Sequence, residues 1–194
     1  MHGKSSGARE SERRILYIVQ NLVVTFRLAR MFPLEEIVKS RALGTSVRKI
    51  GRPWLGLRVG PQNRYVAIYP NGKIVVTGCR TIEETREVSK EIAGMLASHI
   101  ESKQPVSEPV IQNIVATSDL GRKLDLVMVA RALAGQDFEY EPEQFPGLVL
   151  RLRNPRSVVI FFRTGNLVLT GTKSFGELEK AVDAAVRLVI DASQ

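Results

Sequence analysis

Alternating apolar and polar positions predict strands over Tyr17-Thr25, Leu55-Val59, Arg64-Tyr69 and Lys73-Thr77, and again over Val110-Thr117, Leu148-Arg153, Ser157-Phe162 and Asn166-Thr170. Asn71-Gly72 and Thr164-Gly165 supply hairpin turns before the last strand of each set. Helical spacing interrupts the strands at four places. Leu34, Ile37 and Val38 follow Pro33, a residue suited to a first helical turn, and Leu124 to Leu133 form a similar segment with Asp125 near its start. Each set then closes with a long amphipathic helix, striped by Val88, Ile92 and Leu96 in one case and by Leu178, Val182, Ala185, Leu188 and Val189 in the other. Thr81 with Glu84, and Ser174 with Glu177, stand three residues apart, the spacing at which a hydroxyl and a carboxylate satisfy the free amides of a first turn.

The two sets are copies of one another. Gln20-Asn21-Leu22-Val23-Val24-Thr25 matches Gln112-Asn113-Ile114-Val115-Ala116-Thr117 at an offset of 92 residues. Asn71-Gly72-Lys73-Ile74-Val75-Val76-Thr77-Gly78 matches Thr164-Gly165-Asn166-Leu167-Val168-Leu169-Thr170-Gly171 at 93, so one residue is inserted between the blocks. Arg58 falls over Arg151 and Pro53 over Pro146. The organisation expected is an N-terminal arm over 1-14, a first repeat over 15-103, a linker over 104-108 and a second repeat over 109-194. The fold class is α+β, two antiparallel half-sheets with the helices on one face.

Helices on one face leave the other open. Alternation places Val75 with Thr77, Val168 with Thr170, Asn21 with Val23 and Asn113 with Val115 on that uncovered side. Small apolar residues with a few amides and hydroxyls are an unusual choice for a face meeting only water, and they read as a binding platform.

Charge sharpens this picture. The chain of 194 residues carries 28 Lys+Arg and 20 Asp+Glu, net +8. Residues 1-107 hold 18 basic and 9 acidic residues, net +9, while residues 108-194 hold 10 and 11, net −1. Such asymmetry suggests two kinds of partner, phosphate on one side and protein on the other. A lone Cys79 excludes an internal disulfide, and His2 and His99 are too few and too scattered for a metal cluster or a Ser-His-Asp arrangement. Ile15 to Phe26, the most apolar stretch, falls short of the ~20 residues that span a bilayer, so no membrane partner is expected. No cofactor and no catalytic group is implied.

The repeated Gln-Asn blocks, the repeated Thr-Gly strand ends, and Tyr140-Glu141-Pro142-Glu143-Gln144-Phe145-Pro146-Gly147-Leu148 followed by Arg151 and Asn154-Pro155-Arg156 resemble the core of the TATA-box-binding protein family. The resemblance spans roughly residues 15-190. It implies a saddle of about ten strands, with a concave sheet on the DNA minor groove and four helices on the convex back. It also implies that Asn21, Asn113, Val23, Val115, Val75, Val168, Thr77 and Thr170 face the groove, whose edges offer mostly acceptors. Phe145 and Phe162 match ring wedges that pry open a base step, a mode for which this family is itself a standard example. In the first repeat the wedge positions are held by Tyr69 and by Arg52, which cannot insert as an apolar plug; the neighbouring Trp54 is read as a partial substitute. A shallower kink at that end, with relaxed TATA preference, is the expectation.

Arg58, Arg151 and Arg156 match phosphate-facing arginines, and Arg64 is the nearest counterpart of Arg156 in the first repeat. By the same resemblance Glu141, Glu143 and Gln144 form the second-stirrup tip that receives a TFIIB-type factor, with Gln144 replacing the usual leucine. The basic first stirrup, Val47-Arg52, would face a TFIIA-type factor. The implied role is general transcription initiation: binding and bending promoter DNA and recruiting these factors and RNA polymerase. The basic charge points to a nuclear setting. Two rival readings remain open, a binding appendage of a nucleic-acid enzyme and a protein-protein scaffold with weak or no intrinsic DNA binding.

Overall fold

The computed structural model describes residues 16–28, 31–39, 47–49, 54–97 and 107–191. The expected N-terminal arm, Arg52 and most of the expected linker lie outside them. In chain order the elements are β1 (Tyr17–Arg27), α1 (Leu34–Lys39), β2 (Val47–Lys49), β3 (Leu55–Val59), β4 (Arg64–Ile68), β5 (Lys73–Cys79) and α2 (Ile82–Leu96). The second repeat supplies β6 (Val110–Asp119), α3 (Leu126–Ala132), β7 (Phe138–Glu139), β8 (Gly147–Arg153), β9 (Arg156–Phe162), β10 (Asn166–Thr172) and α4 (Phe175–Asp191). Every predicted strand is present. The short edge strands β2 and β7 are additional, being too brief to leave an alternation in the sequence.

All ten strands form one antiparallel sheet in the order β2-β3-β4-β5-β1-β6-β10-β9-β8-β7. The order is symmetric about the β1–β6 seam. There Leu22 pairs with Ile114, flanked by Asn21 against Val115 and Val23 against Asn113. These rungs exchange under the 92-residue offset, so the Leu22–Ile114 rung lies on the pseudo-dyad.

Period-two alternation splits each strand between the core and the open face. Leu22, Val24, Ile74, Val76, Ile114, Ala116, Leu167 and Leu169 are fully buried. Helix α2 covers them with Val88, Ile92 and Leu96, and α4 with Leu178, Ala181, Val182, Ala185 and Val189. Each such aliphatic side chain contributes about 1.5–3 kcal/mol through area removed from water. Two hydroxyls are buried in α2, but Thr85 donates to the Ile82 carbonyl and Ser89 to the Arg86 carbonyl, so neither is left unpaired.

The helix starts follow their sequence signals. Thr81 Oγ1 accepts the Glu84 amide at 3.1 Å while the Glu84 carboxylate accepts the Arg80 amide at 2.7 Å. Ser174 and Glu177 repeat the arrangement at 3.1 Å and 2.8 Å, the latter with the Lys173 amide. Asp125 caps α3 by accepting from the Val127 and Met128 amides.

Arg64 departs from expectation. It is buried, 6% exposed, and its guanidinium meets Glu84 at 3.2 Å. The 93-residue offset sets Arg64 over Ser157, also buried, whereas Asn63, at positive φ of 56° in the preceding turn, stands over Arg156. Arg64 is therefore a brace between sheet and helix rather than a phosphate contact. Among the described residues its Nε has no hydrogen-bond partner. The Arg80 amide, and to a lesser degree Arg64, hold the Glu84 carboxyl below its ordinary pKa against the opposing effect of burial. Because the folded-state value is lowered, its stabilisation is present above the ordinary glutamate range and is lost as pH falls through the folded value. Glu84→Gln should lower stability in urea titrations at pH 7 by roughly 1–3 kcal/mol, since it leaves a buried guanidinium unpaired. Glu177→Gln, which has no buried arginine behind it, should cost less. The gap between wild type and Glu84→Gln should close as the pH approaches the folded carboxyl's pKa and passes below it.

Candidate nucleic-acid interface

On the open face, strand register assembles two rows that exchange under the dyad. Arg58, Tyr65, Thr77, Val23 and Asn113 lie side by side across β3, β4, β5, β1 and β6. Arg151, Val158, Thr170, Val115 and Asn21 lie side by side across β8, β9, β10, β6 and β1. Val75 and Val168 occupy the neighbouring row, opposite Thr25 and Thr117. The residues expected on one face are thus brought together, and Tyr65 against Val158 is the one mismatch between the two rows.

The paired asparagines have a defined orientation. Gly78 and Gly171 sit at φ of 99° and 102°, a region that favours glycine, and a register shift lies beside each on β1–β5 and β10–β6. The glycine amides donate to side chains: Gly78 N–H to Asn21 Oδ1 and Gly171 N–H to Asn113 Oδ1, each at 2.7 Å. A backbone N–H can only donate, so the oxygen of each carboxamide is fixed. Thr77 and Thr170 hydroxyls sit at 3.1 Å and 3.3 Å from the same oxygens. Thr170 Oγ1 is also 3.2 Å from Asn113 Nδ2, yet one hydroxyl can occupy only one of the two amide hydrogens. Each dyad-related NH2 therefore keeps donor capacity for an acceptor at the centre of the face.

A second crossed pair was not singled out from the sequence. Gln20 Nε2 donates across the seam to Thr117 Oγ1 at 2.8 Å, and Gln112 Nε2 to Thr25 Oγ1 at 3.0 Å. The signal was available, because both glutamines begin the repeated block.

Rings mark both outer ends. Phe145 and Phe162 lie 6.1 Å apart, nearly edge to face, and Phe145 is 40% exposed. At the other end Tyr69 lies 5.6 Å from Trp54. The arginines differ in their partners. Arg58 donates to the Asn63 carbonyl at 2.9 Å and stacks 5.3 Å over Tyr65. Arg151 meets Glu139 at 3.0 Å and Asp137 at 3.7 Å, an exposed arrangement worth under about 1 kcal/mol and open to exchange for another anion. Arg156 is exposed at the start of β9. Glu141, Glu143 and Gln144 are all exposed in the β7–β8 turn, which the Glu141 carbonyl closes by accepting the Gln144 and Phe145 amides at 2.9 Å. Of the first stirrup only Val47–Lys49 lies within the described residues. Cys79 is buried and its thiol is pushed up to about 11 by desolvation, consistent with a packing residue.

A sheet duplicated about a dyad, helix-backed on one side and lined on the other by oriented amides, small side chains and terminal rings, defines a two-repeat binding platform. The family model of transcription factor TFIID, or TATA-binding protein, matches residues 17–99 and again 108–192. The chain belongs to this family, whose members are DNA-binding transcription factors rather than enzymes. It is 39% identical over 166 residues to the TATA-box-binding protein of Archaeoglobus fulgidus, covering 85% of this chain and 90% of that one. The TATA-box-binding protein of Methanothrix thermoacetophila is 39% identical over 165 residues, 84% of this chain and 90% of its own. The solved structure of Methanococcus jannaschii TBP superposes with a TM-score of 0.78 at 31% identity, covering 90% of this chain and 98% of that one. These relatives are archaeal, so they lend no support to the nuclear setting expected from charge. Among the described residues no helix is long and apolar enough to cross a membrane.

Replacing Gly171 by Ala forces a side chain into a positive-φ position, where the added Cβ would lie 3.2 Å from Ser157 Cα. A loss of roughly 1–3 kcal/mol is expected in urea titration, together with a change in amide exchange at position 171 as the hydrogen bond to Asn113 loosens.

Proposed function

We propose that the open face grips the minor groove of promoter DNA and that the protein, as a general transcription initiation factor, bends that DNA and presents it to the transcription machinery. The observation that carries the reading is the dyad-related pair of carboxamides, Asn21 and Asn113, with oxygens tied to Gly78 and Gly171 and N–H groups left for acceptors. The minor groove of A·T pairs presents acceptors only, so two fixed donors flanked by valines and threonines match its floor. Val23, Val115, Val75, Val168, Thr77 and Thr170 permit close approach, while Phe145 and Phe162 supply the insertion at one end. Arg58, Arg151 and Arg156 are assigned to phosphates, Arg151 exchanging Asp137 and Glu139 for the backbone. Glu141, Glu143 and Gln144 are assigned to a basic protein partner of the TFIIB type, with carboxylates facing away from DNA as electrostatics requires. A TFIIA-type factor at the first stirrup and RNA polymerase complete the proposed partners.

Electrophoretic mobility shifts on TATA and scrambled duplexes test the reading. Asn113→Asp keeps an acceptor for Gly171 but loses the outward donor and adds a charge; it should weaken TATA binding at least about tenfold with little change in thermal stability. Phe145→Ala should weaken binding and reduce the bend. No shift of either duplex by the wild-type chain would favour the scaffold reading, unchanged affinity in both variants would overturn the assignment of Asn113 and Phe145 to the groove, and equal affinity for both duplexes would support relaxed TATA preference. Three phosphate-bound arginines predict a log–log salt slope near −2.7 from these contacts, and Arg58→Ala should shallow the total slope by about 1.

A further inference from the structure

The outer parts of the two halves differ in opposite senses at neighbouring positions. Under the 93-residue offset Trp54 stands over Gly147 and Tyr65 over Val158, a large residue for a small one each time. Beside them Gly56 stands over Val149 and Ala67 over Ile160, a small residue for a large one. Bulk has moved from one pair of positions to the other.

Geometry explains the exchange. A Cβ on Gly147 would come within 2.7 Å of Phe145 Cε1 and 3.2 Å of Phe162 Cε1, so the Phe145 ring lies directly above the Gly147 backbone. Gly147 is the cross-strand partner of Phe162. In the first half Leu55 pairs with Ile68, and the next rung outward sets Trp54 against Tyr69, whose rings lie 5.6 Å apart. The indole thus grows from the position above which Phe145 rests and meets the counterpart of Phe162. Tyr65 completes the arrangement. A Cβ on Gly56 would be 2.7 Å from the Tyr65 hydroxyl, so the phenol lies across Gly56, and Trp54 Nε1–H donates to its oxygen at 3.3 Å. With that N–H satisfied, the indole can enter an apolar stack without an unpaired donor.

We propose that Trp54 is the inserting ring of the first half, displaced two residues along the chain from the Phe145 position, with Tyr69 as its partner ring and Tyr65 as the residue that positions it. The inference rests on the DNA-binding reading above. It replaces the shallow kink expected from Arg52 with a wedge at each end, one a phenylalanine and one an indole.

Trp54 is the chain's single tryptophan, so its emission reports on this site in the unmodified protein. On titration with a duplex carrying a TATA element, stacking on bases should quench that emission by more than half, and Phe145→Ala should retain the quench on whatever duplex it binds. Trp54→Ala should weaken binding about tenfold and reduce the bend measured by end-to-end energy transfer, whereas Trp54→Phe should preserve most of the bend. Tyr65→Phe should shift the emission maximum and reduce the quench without unfolding the chain. Duplex bound with Trp54 emission unchanged, or a Trp54→Ala variant that binds and bends as wild type does, overturns the inference while leaving the DNA-binding reading intact. Failure of the wild-type chain to bind any duplex overturns both.

Discussion

The open face depends on one rung of the sheet. Leu22 and Ile114 pair on the pseudo-dyad with their side chains sealed in the core, fully buried. Because strand side chains alternate, a slip of one residue along β1–β6 would turn one of these two outward and carry the asparagine beside it into the core. The hydrophobic free energy of the back of the sheet therefore fixes the position of the polar groups on its front. From that rung outward, each strand pair inherits its register, and the two rows reach their arginines at opposite edges of the face.

Backbone strain finishes what register begins. A carboxamide on a strand is free to rotate and to present either end, which would make it a poor reader of a surface composed of acceptors. Turning the Gly78 and Gly171 amides out of their ladders supplies each asparagine with an obligate donor, and the ambiguity disappears. The cost is two positive-φ residues placed where glycine tolerates them. Charge is distributed less symmetrically than hydrogen bonding: the second half surrounds Arg151 with Asp137 and Glu139, while the first half buries Arg64 against Glu84 and lays Arg58 on a phenol.

Much of this was legible in the sequence because it is repeated there. Matched blocks exposed the duplication, and through it the seam strands, the asparagines, the Thr-Gly ends and the capped helices. What escaped lies where the copies diverge or where an element is too short to carry a period. Strands β2 and β7 span three and two residues, below the length at which alternation can be seen. Arg64 was misassigned because at the constant 93-residue offset it stands over Ser157, one residue past the counterpart of Arg156, and one residue on a strand is the difference between front and back. The Trp54–Tyr69 contact was invisible to residue-by-residue matching, since the equivalent ring springs from a different position and only the glycine beneath Phe145 reveals that the space is the same.

That exchange of bulk has an evolutionary corollary. Gly147 cannot acquire a side chain while Phe145 lies above it, and Gly56 cannot acquire one while Tyr65 lies across it. The order of any change is therefore constrained: the ring above must shrink or move before the residue beneath it can gain a side chain, and the intermediate then carries a cavity instead of a clash. Passing from one arrangement to the other means emptying the space before refilling it from the other position. The two halves of this chain hold both arrangements within one molecule.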